Sequence, residues 1–362
     1  MNPDSKIYVA GHRGLAGSAL IRTLRAQGYT ELLTRTHAEL DLTDAAATEA
    51  FFARERPDYV FLAAAKVGGI VANDTYPADF IRDNLAIQSS VIQAAFRCRV
   101  KRLMFLGSSC IYPKEAPQPL KEEYLLTGPL EPTNRPYALA KIAGIEMCWS
   151  YNRQHGTQYL AAMPTNLYGP GDNYDLMNSH VLPAMIRKFH LARLAAERNW
   201  PAIEHDERQH GPLPDDLKRE LHETCTLNRQ PCVTLWGSGT PRREFMYSDD
   251  MADACVYLMR LPDSEFERLL WPAGSPVESS RRGLAPLINI GVGQDMSIRE
   301  LAQAVRHTVG FEGDIVFDQS KPDGTMQKLL DVGLLTDHGW RARTSFPQGV
   351  TLTYAQYRSG SS

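Results

Sequence analysis

Residues 6–20 read KIYVAGHRGLAGSAL, and this stretch decides the fold. The apolar run at 6–10 is a strand candidate, and the stretch from 14 to 27 is a helix candidate. Between them Gly11, Gly14 and Gly17 stand at G-x-x-G-x-x-G spacing. Glycines at such a junction allow a tight turn, close approach of a pyrophosphate and close packing of helix on strand. The free N–H groups at the start of the helix then favour phosphate. Three glycines alone carry little weight, because loops collect glycine. The strand before them and the helix after them make this a dinucleotide-binding turn.

Working outward, the alternation continues. ELLTR (31–35), YVFLAAA (59–65), RLMFLG (102–107) and YLAAM (159–163) read as strands, and 44–55, 78–98 and 135–155 as helices. Strands that are apolar on both faces and alternate with helices predict a parallel sheet covered on both sides. The expected fold is therefore α/β: a doubly wound, Rossmann-like parallel sheet with a smaller C-terminal α/β substrate domain. Residues 1–170, with returning segments at about 243–262 and 286–293, are assigned to the nucleotide-binding domain. Residues 171–242 and 294–362 are assigned to the substrate domain. Within the latter, 191–230 is charged, contains histidines and reads as a solvated helical insertion. Residues 262–286 read as an exposed loop, and the tail RSGSS (358–362) as disordered.

Composition narrows the function. A formal net charge of −3 on 362 residues lacks the basic excess of a nucleic-acid binder. No apolar run has the length of a membrane span, and the N-terminus enters a strand without a signal-peptide pattern. The cytoplasm is the expected compartment. None of the six cysteines (Cys98, Cys110, Cys148, Cys225, Cys232, Cys255) has C-x-x-C spacing, so six free thiols and no metal are expected. Five of them read as packing residues. Cys110 differs because of its neighbours.

Two arginines favour a phosphorylated cofactor. Arg13 lies in the glycine loop and Arg35 ends the second strand, where an NAD-binding fold usually offers an acidic residue to the ribose. A guanidinium suits phosphate, so NADP(H) is preferred to NAD(H). The catalytic chemistry reads from NRPYALAK, with Tyr137 and Lys141 at i,i+4 on one helix face. A nearby ammonium is expected to lower the phenol pKa and fit it for proton exchange. Ser108, at the strand end in LGSSCIYP (106–113), can bond the oxygen that Tyr137 protonates. Ser, Tyr and Lys on a nucleotide-binding fold mean hydride transfer at a carbonyl or alcohol. Cys110 is two residues on. In an extended segment it points to the same side as Ser108, with Ser109 opposite.

These motifs resemble the extended short-chain dehydrogenase/reductases and, more narrowly, the GDP-L-fucose synthases. The stretches AGHRGLAGSA, AAAKVGGIVAN, LGSSCIYP, EPTNRPYALAKIAGIE, PTNLYGPGDN, NSHVLPAMIRKFH, WGSGTPRREFMYSDDMA, NIGVG and SKPDGT carry the resemblance, in order, to about residue 331. It implies a GDP-4-keto-6-deoxymannose substrate, 3,5-epimerisation and NADPH-dependent 4-reduction, and a homodimer built on long helices including 135–155. It also implies roles for residues. Cys110 and His180 are the acid/base pair for epimerisation. Gly11, Arg13, Gly14, Gly17, Arg35, His37, Asp41, Leu106, Ser109, Lys141, Pro164, Asn166, Leu167 and His180 line the cofactor. Lys188, Trp236, Arg243 and Asp323 meet the GDP-sugar.

Three departures stand out. His37 and Lys188 occupy positions where some members have arginine, and 191–230 falls between two substrate motifs. An epimerase/reductase for a related GDP-4-keto-deoxysugar or heptose is therefore the alternative. A non-catalytic NADP-sensing protein is the alternative from another class, and the presence of both Tyr137 and Lys141 speaks against it.

Overall fold

The computed structural model describes residues 1–227, 230–281, 283, 285–321 and 323–360. In chain order the elements begin β1 (Ile7–Ala10), α1 (Leu15–Ala26), β2 (Leu32–Leu33), α2 (Ala45–Glu55), β3 (Tyr59–Leu62), α3 (Ile70–Thr75), α4 (Pro77–Arg97), β4 (Arg102–Leu106), α5 (Arg135–His155) and β5 (Tyr159–Pro164). They continue with β6 (Asn166–Tyr168), α6 (Val181–Ala196), α7 (Trp200–His210), α8 (Asp215–Leu227), β7 (Cys232–Trp236), β8 (Arg242–Tyr247), α9 (Ser248–Arg260), α10 (Asp263–Leu270), α11 (Pro276–Arg281) and β9 (Leu287–Ile290). The last are β10 (Asp295–Ser297), α12 (Ile298–Val309), β11 (Asp314–Asp318), β12 (Gln327–Lys328), α13 (Gly333–Asp337) and α14 (Phe346–Ser359). The chain forms two units. Residues 1–167, 246–293 and 330–343 make the first, and 168–245, 294–329 and 344 onward make the second. The sequence placed 330–343 with the second unit; an isolated bridge from Leu330 to Leu120 ties this segment to the first.

The first unit carries a six-stranded parallel sheet in the order β2-β1-β3-β4-β5-β9. Strand alternation sends Ile7, Val9, Met104, Leu106 and Leu160 into one core with Leu20 and Leu24 of α1 and Met251 of α9. Tyr8, Ala10, Leu103, Phe105 and Ala161 enter the other with Phe52 of α2, Val91 of α4 and Ile145 of α5. Two buried faces explain why the strands read as continuous apolar runs. The second strand is shorter than the expected 31–35, and beyond it the Arg35 guanidinium donates to the Thr34 carbonyl at 2.7 Å.

The glycine turn has the steric logic its spacing suggests. Gly11 has φ +82°, and a Cβ there would lie 2.7 Å from the Ala64 backbone. A Cβ at Gly17 would lie 2.1 Å from the Gly11 carbonyl oxygen, so α1 packs on the turn only because Gly17 has none.

Three expectations need correcting. Residues 262–286 are not simply an exposed loop. Residues 263–270 form α10, with Phe266, Leu269 and Leu270 buried. Arg102 pins this helix: its guanidinium donates to the carbonyls of Met259 and Leu261, pairs with Asp263 at 2.6 Å and lies over the Phe266 ring. Arg282 and Leu284 of this stretch lie outside the described residues. The 191–230 segment is likewise more than a solvated appendage. Arg187 of α6, fully buried, pairs with Asp206 of α7 at 2.7 Å and donates to the carbonyls of Tyr174, His210 and Gly211. Ile203 and Leu221 bury the inner faces of α7 and α8. The tail is part of α14 through Ser359, and Ser361 and Ser362 lie outside the described residues.

Candidate active site

The site begins where β4 ends. The Gly107 N–H donates to the Ala162 carbonyl at 2.9 Å, which holds the strand end to β5. Ser108 is extended (φ −159°, ψ 147°) and caps a short 3-10 turn, Ser109–Ile111, accepting from the Cys110 N–H at 3.4 Å. The chain is therefore not extended through Cys110, and strand alternation does not set its direction. A short serine side chain at the end of a strand competes for the backbone and starts a turn instead. The turn nevertheless places buried Cys110 within electrostatic reach of both Tyr137 and Lys141. Ser109 is buried beside it.

Tyr137 and Lys141 come from the first turns of α5, with Pro136 at its start. Tyr137 is joined to Ser108 by a side-chain hydrogen bond and meets Phe80 edge-on at 6.3 Å. Lys141 is buried; its Nζ donates to the Leu106 carbonyl at 2.8 Å and lies 5.8 Å from the centre of the Tyr137 ring. This corrects the electrostatic expectation. Burial and the neighbouring Cys110 raise the Tyr137 pKa, with Ser108 opposing them, and burial lowers Lys141 to about 8. Desolvation dominates both shifts, and Lys141 directs a hydrogen bond to the Leu106 carbonyl.

The expected cofactor residues in the first unit surround the same sheet end. Gly14 leaves the N-terminus of α1 without a side-chain cap, and a Cβ there would meet only the Gly11 carbonyl oxygen, at 3.5 Å. That open cradle fits a pyrophosphate. Arg13 is exposed. Arg35 is half-buried, pairs with Glu55 at 2.8 Å and lies over the Phe51 ring. His37 is 83% exposed and 3.8 Å from Asp41, so it is free to turn toward a ligand. Asp41 accepts from the N–H and hydroxyl of Thr43, which lowers its pKa. Leu106 offers its carbonyl to Lys141. Pro164 ends β5, Asn166 and Leu167 open β6, and the intervening Thr165 N–H donates to the Ile290 carbonyl. The sequence reading missed His12. Its Nδ1 is buried without a partner in the glycine turn, and burial and Arg13 depress its pKa. Its only sequence signal is its place between Gly11 and Arg13.

The remaining predicted residues lie in the second unit. His180 is the N-cap residue of α6; it keeps contact with solvent, while the protein packed around its ring lowers its pKa by desolvation. Lys188, further along the same helix, donates to the Thr234 carbonyl at 3.4 Å; burial lowers its pKa, opposed by Asp216 and Glu220 of α8. The insertion thus supplies two acidic residues near Lys188 that no motif announces. Arg243 is half-buried on β8 and is lowered by burial against the opposing charge of Asp323. Asp323 accepts from the N–H and hydroxyl of Ser238, which lower its pKa. Trp236 is 62% exposed at the end of β7, with Lys321 5.5 Å from its ring centre. An exposed aromatic wall and two cations suit a flat, anionic ligand. Pro322, in the SKPDGT motif, lies outside the described residues.

A family model described as the NAD dependent epimerase/dehydratase family matches residues 7–269. A putative GDP-L-fucose synthase 2 of Arabidopsis thaliana is 49% identical over 357 residues, covering 99% of this chain and 93% of that protein. The GDP-L-fucose synthase of Escherichia coli K12 is 49% identical over 349 residues, covering 96% and 95%. A solved GDP-D-glycero-L-gluco-heptose synthase from Campylobacter jejuni, crystallised in the presence of NADPH, superposes with a TM-score of 0.86 at 40% identity over 99% of each chain.

Proposed function

The chain belongs to the NAD dependent epimerase/dehydratase family, and we propose that it is an NADP-dependent enzyme that epimerises GDP-4-keto-6-deoxy-D-mannose at C3 and C5 and reduces C4 to give GDP-L-fucose. The observation that carries this reading is the cluster of Ser108, Cys110, Tyr137 and Lys141 at one strand end. A plain reductase has no use for the thiol.

The ketone at C4 acidifies the protons on C3 and C5. Cys110 and His180 act as the pair that removes and returns them. Cys110 lies within electrostatic reach of Lys141, and desolvation lowers the His180 pKa, which favours a neutral imidazole able to accept a proton. Ser108 and Tyr137 donate hydrogen bonds to the C4 oxygen as enolate charge develops there. NADPH, held at the glycine turn, would supply the hydride that reduces C4. Tyr137, whose raised pKa keeps its proton in place at neutral pH, then protonates the new alkoxide.

The first unit is the cofactor-binding domain in this reading, with phosphate at the N-terminus of α1 and the 2′-phosphate near Arg13, Arg35 and His37. The second supplies Trp236, Arg243, Lys188 and Asp323 to the GDP-sugar. We also propose a homodimer through long helices including α5, on which Leu139 is exposed. The cytoplasm is the proposed compartment; among the described residues no helix is long and apolar enough to cross a membrane.

Purified protein with NADPH and GDP-4-keto-6-deoxymannose is expected to oxidise the cofactor and yield GDP-L-fucose by NMR. No oxidation overturns the reading. The resemblance to a GDP-heptose synthase at 40% identity favours one alternative, a GDP-4-keto-heptose substrate. Faster turnover of that ketone would establish it.

A further inference from the structure

NIGVG, whose asparagine is Asn289, is a motif to which the mechanism assigns no task. Asn289 lies on β9 and is fully buried. Every polar group of its side chain is used. The amide Nδ2 donates to the carbonyls of Leu120 at 2.9 Å and Asp331 at 3.1 Å, and Oδ1 accepts from the Tyr112 hydroxyl at 2.6 Å. Its backbone N–H donates to Glu122 Oε1 at 3.0 Å. Two donors aimed at two carbonyls fix the orientation of the amide, so Oδ1 can face only Tyr112.

Tyr112 is the residue that leaves the 3-10 turn holding Cys110. It is itself buried. The two ends of that turn are held very differently. At the entry, Ser108 continues a strand locked to β5. Inside the turn the bonds are long: 3.4 Å from the Cys110 N–H to the Ser108 hydroxyl and 3.3 Å from the Ile111 N–H to the Ser108 carbonyl. At the exit, the Tyr112 hydroxyl donates to Asn289 Oδ1 at 2.6 Å.

We propose that Asn289 and Tyr112 are positioning residues for Cys110, fixing the thiol for proton transfer while leaving hydride transfer to Ser108, Tyr137 and Lys141. The inference rests on the role given to Cys110 above. It predicts a split between the two half-reactions that a general packing role would not produce.

The test compares wild type, Tyr112→Phe, Asn289→Asp and Cys110→Ala. Each is assayed for solvent-deuterium incorporation at C3 and C5 of the GDP-4-keto-sugar, and for NADPH oxidation with a ketone already epimerised at both carbons. Tyr112→Phe keeps the ring and removes only the hydroxyl. It is expected to slow exchange about 10- to 100-fold, the scale of a small misplacement, with reduction and the NADPH KM within about threefold of wild type. Asn289→Asp, which turns an acceptor toward two carbonyls, is expected to widen the same split. Equal loss of both half-reactions, or no loss of either, in folded Tyr112→Phe overturns the inference. Exchange that survives in Cys110→Ala overturns the functional reading instead, and distinguishes the two failures.

Discussion

Tyr137 and Lys141 stand one helical turn apart, yet the lysine does not make the tyrosine a stronger acid. Burial keeps the phenol protonated and weakens the hold of Lys141 on its own proton. A donor that keeps its proton until alkoxide charge appears suits reduction better than one already ionised. Tyr137→Phe should lower NADPH-dependent reduction by about 10²–10⁴-fold, measured with saturating cofactor. Lys141 gives a second prediction, in stability. Its folded pKa, about 8, lies below the value of 10.5 for an unperturbed lysine. The unfolded chain therefore binds more protons between those two values, and stability rises with pH across that window. Below about pH 8 the buried ammonium costs on the order of 3 kcal/mol. Lys141→Met should thus gain more relative to wild type at pH 7 than at pH 9.5, in melting curves, while losing activity at both. A gain that does not shrink with rising pH contradicts the assignment.

Elements carry the next level of consequence. The turn into α1 works because Gly17 has no Cβ: Gly17→Ala places one 2.1 Å from the Gly11 carbonyl oxygen. It should raise the NADPH KM at least about tenfold by displacing the phosphate cradle, with little effect on the KM of the sugar. In the second unit, Asp206 neutralises the buried guanidinium of Arg187 and accepts from the Tyr357 hydroxyl. Asp206→Ala leaves that charge unpaired and should cost about 3–5 kcal/mol in chemical denaturation. These two features differ in how legible they are. The glycine turn and the Tyr137–Lys141 pair are visible in sequence because each is a local spacing on one element. The Arg187–Asp206 pair spans 19 residues and two helices, so each residue reads as surface charge. The 3-10 turn at Cys110 is hidden for another reason: one serine hydroxyl at a strand end redirects the backbone, and strand alternation assumes that it does not.

For the whole molecule, the proposal joins two chemistries on one C4 oxygen. Proton exchange at the flanking carbons and hydride transfer at the carbonyl share Ser108 and Tyr137 and differ in the thiol and imidazole. The doubly wound sheet supplies this economy of parts by bringing the ends of β1, β3 and β4 to one edge, where the glycine turn and the catalytic strand end follow. Sequence alternation revealed that sheet because both its faces are buried. The attachments of α10 and of 330–343 to the first unit depend on long-range contacts, and sequence pattern does not carry them. The measurement that tests the account most directly is one reaction of the wild-type protein in D₂O, with GDP-4-keto-6-deoxymannose and NADPH, followed by NMR of the product. The account predicts GDP-L-fucose with deuterium at both C3 and C5 and one NADPH consumed per product. A reduced product with unchanged configuration and no deuterium at either carbon would contradict it.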